Sequence, residues 1–162
     1  MAAYPLNKLL NLRHDREERA RREVVQQRRA VTEQEQAVAA AERTLADFTG
    51  WRVAEERRLF AEVRDQALNS ADLDVLKHEI ASLRQQQAHK KQDVEDAERE
   101  LQAAREALAQ RIKAMREAQH NRRKLEGHMG LWTEEERLAR TRREEHEADE
   151  TTSMRVPGGG KP

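Results

Sequence analysis

Residues 73–132 read LDVLKHEIASLRQQQAHKKQDVEDAERELQAAREALAQRIKAMREAQHNRRKLEGHMGLW. Taken in sevens from Leu73, the a positions are Leu73, Ile80, Gln87, Val94, Leu101, Leu108, Met115, Arg122 and Met129. The d positions are Leu76, Leu83, Lys90, Ala97, Ala104, Arg111, Ala118, Leu125 and Trp132. Only Gln87, Lys90, Arg111 and Arg122 break the apolar stripe, and no proline interrupts it. A period of 3.5 held this long describes a helix lying along a second helix in a left-handed coiled coil.

The partner lies upstream in the same chain. Pro5 is tolerated in a first helical turn, which starts helix 1 between Pro5 and Asn7. From Glu17 a second seam runs through Glu17/Ala20, Val24/Gln27, Val31/Gln34, Val38/Ala41 and Leu45/Phe48. Past Gly50 the apolar stripe resumes one residue late, as Val53, Phe60, Val63 and Ala67, which suggests a local change of winding. Helix 1 then reaches about Leu68, and Asn69-Ser70-Ala71-Asp72 reads as the tip, with cap-forming residues before helix 2 at Leu73. Two seams meeting at a short polar interruption predict an all-α fold, a long antiparallel two-helix coiled-coil hairpin. With its tip at 69–72, residue i faces about residue 141 minus i, so Leu45 meets Ala97 and Trp132 closes the open end against Leu6–Leu12. The arm is then a rod of about 90 Å. Gly127 and Gly130 mark a break in helix 2, and Thr133 starts a C-terminal helical extension to about Asp149. Residues 1–150 thus form one elongated domain, and 151–162, ending Pro157-Gly158-Gly159-Gly160-Lys161-Pro162, read as a disordered tail.

Composition supports this. Charged residues make up 38% of the 162 and aromatics 3%, with a mean hydropathy of -1.09. Such a chain buries one narrow stripe and solvates the rest. The 31 basic and 31 acidic residues cancel, which removes the net basic field that a nucleic-acid or anionic-membrane partner needs. Locally they do not cancel: residues 8–29 hold eight basic against four acidic side chains, and residues 133–150 hold eight acidic against four basic. There is no cysteine, signal-like start or apolar run of membrane-spanning length, so we expect a soluble protein suited to a reducing cytoplasm, either unexported or exported by a non-classical route.

Chemistry is not expected. The six histidines include no i,i+4 pair, so neither a metal site nor any other cofactor site is read. Gly158-Gly159-Gly160-Lys161 lacks the first glycine and hydroxyl residue of a phosphate loop. Catalysis needs a concave, water-excluding site that two helices do not enclose, so the chain reads as no enzyme. Arg13–Arg29 evokes a basic zipper, but Asp15, Glu17, Glu18 and Glu23 interrupt it, and it reads as a solvated helix face. Seam glutamines Gln27, Gln34 and Gln87 set register. Trp51 falls beside the seam, where it either covers the seam edge or, with Phe48 and Phe60, forms an aromatic docking patch.

Several stretches resemble a known family. Tyr4-Pro5-Leu6, then Leu9-Leu10-x-Leu12-Arg13 and Arg16-Glu17-Glu18-x-Ala20, are similar to the N-terminus of YscO-type proteins of bacterial type III secretion. The Phe48–Phe60 block with Trp51-Arg52 and Glu55-Glu56-Arg57, the polar tip and the acidic helix after Trp132 resemble the same family over residues 4–150. The resemblance implies likeness to the flagellar export stalk protein and to the coiled coil of the rotary ATP synthase gamma subunit. It further implies a monomer at the cytoplasmic face of the apparatus, binding the hexameric export ATPase, the cytoplasmic domain of the export gate, and secretion chaperones. Carried onto this chain, Leu6, Leu9, Leu10, Arg13, Arg16 and Trp132 would engage the ATPase. Leu45, Phe48, Trp51 and Phe60 would face the gate. The alternative is a structural or regulatory coiled coil that pairs with a second copy.

Overall fold

A computed structural model describes residues 3–155. Helix α1 spans Asn7–Arg64 and helix α2 spans Ser70–Met154. They pack antiparallel as a hairpin, so the partner of each seam is the other half of the same chain. The contacts divide into two units. A terminal unit is drawn from Met1–Arg21 and Ala114–Pro162, as far as these are described, and a turn unit is Arg22–Lys113. Among the described residues no helix is long and apolar enough to cross a membrane.

The heptad positions are the ones sheltered from water. On α1 every a and d position from Glu17 to Phe48 is at least partly buried, with Val24 at 3% and Val31 at 8% exposure the deepest apolar ones. On α2 only Leu73 and Arg111 of the assigned positions are exposed, while Leu76, Leu83 and Leu125 are buried. Past Gly50 the outcome differs from the expected skip. Of the expected stripe Val53 and Val63 are half-buried but Phe60 and Ala67 face solvent, and Arg52 and Leu59, which continue the sevens from Leu45, are sheltered. Charge misled the reading there. Arg52 and Glu56 occupy the seam as an ion pair, so hydrophobicity alone does not trace the interface.

The turn also lies elsewhere. Helix α1 stops at Arg64, short of the expected Leu68, and residues 65–69 make the connection. Residues 70–72 belong to the first turn of α2, where the Asn69 side chain caps the helix by accepting a hydrogen bond from the Asp72 amide at 2.8 Å. Polar residues read as a tip are the start signal of the helix. Cross-helix partners nonetheless stay near the expected register: Glu56 meets Arg84 and Glu17 meets Arg122, within two residues of the expected positions, while Glu23 reaches further, to Arg111. Lys90 lies over the Phe48 ring, three residues from the position expected opposite it.

Two further expectations are corrected. Helix α2 runs unbroken through Gly127 and Gly130, where a Cβ would meet nothing within 4 Å. Their helix-weakening cost of about 1 kcal/mol each is overridden by propagation from packed turns on either side. Residues 151–154 continue α2, so they belong to the helix and not to a tail. The remainder of the expected tail, 156–162, lies outside the described residues.

Candidate functional site

The candidate sites are surfaces, one in each unit. In the terminal unit the chain enters α1 through Tyr4 and Pro5, with the Asn7 amide donating to the Tyr4 carbonyl at 3.1 Å. Tyr4 is buried, its hydroxyl hydrogen-bonds His128 Nδ1 at 2.6 Å, and its ring lies 5.4 Å from that of Trp132. Trp132 thus packs on Tyr4. Leu10 is buried at 6% exposure and Leu9 is half-buried. Arg13 is half-buried and donates to the Asn121 carbonyl at 2.8 Å. Of the six residues named for this end, only Leu6 and Arg16 stand in solvent. Leu12, Leu131 and Leu138 of the same unit are also exposed, the latter two being off the heptad stripe.

The same unit holds a charged cluster. Glu17 is buried at 4% exposure and accepts hydrogen bonds from Arg21 at 2.6 Å and from Arg122. Arg122 also reaches Glu126 at 2.7 Å, and His14 lies 3.3 Å from the same carboxylate. Burial pushes the Glu17 pKa up, but the hydrogen bond and charge of Arg122, with those of Arg21, outweigh it and hold the carboxyl below its ordinary 4.5. The signal was present: Glu17 and Arg122 are polar breaks in two facing seams.

In the turn unit Leu45 and Phe48 are half-buried seam residues, with the Lys90 ammonium 5.2 Å from the Phe48 ring centroid. The Trp51 ring lies 5.6 Å from Phe48 and keeps 52% of its surface exposed. Phe60 is 54% exposed but follows Trp51 by two and a half helical turns, on the opposite side of α1. The aromatic block is therefore split by the seam, and Phe60 does not join the other two. Between them Arg52 donates to Glu56 at 2.8 Å, and Arg84 of α2 lies 3.3 Å from the same carboxylate. Burial raises the Glu56 pKa, yet the hydrogen bonds from Arg52 and Arg84 leave it lowered. Arg52 Nε is buried without a partner. Beside Trp51 a groove of about 400 Å³ opens between the helices, with Leu59 and Leu83 among its lining.

Comparison with known proteins gives concordant likenesses. The family model described as type III secretion protein YscO matches residues 6–154. The Yop proteins translocation protein O of Yersinia pseudotuberculosis is 30% identical over 109 residues, 67% of this chain and 71% of that protein. The crystal structure of type III secretion protein YscO from Vibrio parahaemolyticus superposes with a TM-score of 0.75 at 27% identity, covering 93% of this chain and 92% of that one. A Chlamydia trachomatis chain proposed to be a YscO homologue shares the fold, with a TM-score of 0.80 at 23% identity over 95% and 94% of the two chains.

Proposed function

The chain belongs to the YscO family of type III secretion proteins, and from that premise we propose that it couples the hexameric export ATPase to the export gate. In this reading it is a central stalk that also receives secretion chaperones and carries no catalysis of its own. The terminal unit engages the ATPase and the turn unit faces the gate. The observation that supports this best is the terminal surface. Leu6, Leu12, Leu131 and Leu138 keep between 39% and 68% of their surface exposed, while neighbouring Tyr4, Leu10 and Leu125 are buried. These four exposed leucines share the terminal unit, and exposed apolar side chains on so polar a chain are where a partner can dock.

The test is titration of the protein into the purified export ATPase encoded beside it, following hexamer formation and ATP turnover. Leu6→Asp with Leu131→Asp changes exposed side chains only, and it should keep wild-type helicity while abolishing any stimulation. Leu10 is unsuitable, because an aspartate there breaks the packing. If neither wild type nor variant alters the ATPase, the coupling role is wrong.

A further inference from the structure

We propose that the groove beside Trp51 receives a basic side chain, foremost an arginine, from a protein partner of the turn unit. One side of the groove is Trp51, half in water. Its lining carries three carboxylates, Glu55 and Glu62 on α1 and Glu79 on α2, against one cation, Arg58. Arg58 is already engaged, donating to Glu62 at 2.6 Å and to Glu55 at 3.0 Å. Glu79 is exposed and interacts with the Arg58 charge, but holds no hydrogen bond or contact ion pair among the described residues. Two negative charges are thus left over beside an aromatic face.

A cation is the ligand that both features select. The ring quadrupole attracts it, and the exposed carboxylate of Glu79 gives it a charge-assisted hydrogen bond. Arginine fits better than lysine because its planar guanidinium stacks on indole while its edge meets a carboxylate. The same unit already binds a cation this way one turn earlier, where Lys90 lies over Phe48. Trp51 as a mere cover for the seam edge leaves unexplained why half of it stays in water, and why the acidic excess gathers beside it. That the partner is the gate rests on the reading above; the chemistry of the groove does not.

The test separates the two. A ¹⁵N-labelled chain gives one indole N–H resonance per tryptophan, and Trp51→Phe identifies which belongs to Trp51. Arginine amide should shift the Trp51 resonance saturably, with a Kd of about 1–10 mM, and leave that of Trp132 unmoved. Citrulline amide, the same shape without charge, should not. Glu79→Gln should weaken arginine amide at least about fivefold with unchanged circular dichroism. No saturable shift, an equal response to citrulline amide, or indifference to Glu79→Gln overturns the proposal. In a second arm the purified cytoplasmic domain of the gate is titrated into wild type and Glu79→Arg. Failure to bind wild type, with the arginine response intact, removes the gate as partner and leaves the groove standing. Gate binding that Glu79→Arg does not weaken overturns the groove as the docking point.

Discussion

Glu17 occupies a seam position that a leucine would fill, yet it is a buried charge held by Arg21 and Arg122. Its carboxyl has a lowered pKa in the fold, so its stabilising effect is complete above about 4.5 and is lost as the pH falls through the lowered value. Glu17→Gln should therefore lower the melting temperature by about 2–5 °C at pH 7. The gap to wild type should close as the pH drops below about 4.5. A gap that stays constant with pH shows that the charge is not what is lost. Replacing both partners, Glu17→Leu with Arg122→Leu, should leave stability equal or higher, because two well-packed apolar groups avoid the desolvation of two charges. The pairing was legible only in part. Both residues stood out as polar in otherwise apolar stripes, and the expected register put Glu17 opposite residue 124, two from Arg122, but polarity alone did not mark them as a pair.

At the scale of the element, α2 is the longer helix, 85 residues against 58 in α1. Its stretch beyond Trp132 is exposed except for partial shelter at Glu136 and Ala139. Such a stretch is held helical by continuation from packed turns, since nucleation has already occurred there. The glycines show the same effect. Gly127 and Gly130 looked like a break because glycine is a poor helix former, a local preference of about 1 kcal/mol that a long packed helix absorbs. Gly127→Ala and Gly130→Ala should each raise stability by about 0.5–1 kcal/mol in urea denaturation, because a Cβ meets open space at both. A loss instead would mean that the backbone there is required bare. Helix ends were the least readable feature. Asn69 and Asp72 were recognised as cap residues, but a cap and a tip share one vocabulary of side chains, and α1 ends at Arg64 without glycine or proline to announce it.

For the molecule as a whole, the heptads specified two helices and their antiparallel pairing, because a stripe that long has to be covered and the chain supplies a second one. What the stripes did not reveal was which exposed residues matter, since solvent faces carry no periodicity to read. Intrachain pairing has a direct thermodynamic signature: the melting temperature should stay the same from about 1 to 100 µM protein, whereas a pairing of two copies makes it rise with concentration. The connection between the helices adds a last point. Residues 65–69 contain no glycine, and no described residue has a positive φ, so the link holds no special backbone conformation that dictates how α1 and α2 meet. Alignment is instead written along the seam, in matched pairs such as Glu17–Arg122, Glu23–Arg111 and Glu56–Arg84. The covalent joint is thus dispensable as a source of information: it keeps two complementary strips at high local concentration, and the strips themselves carry the instructions for assembly.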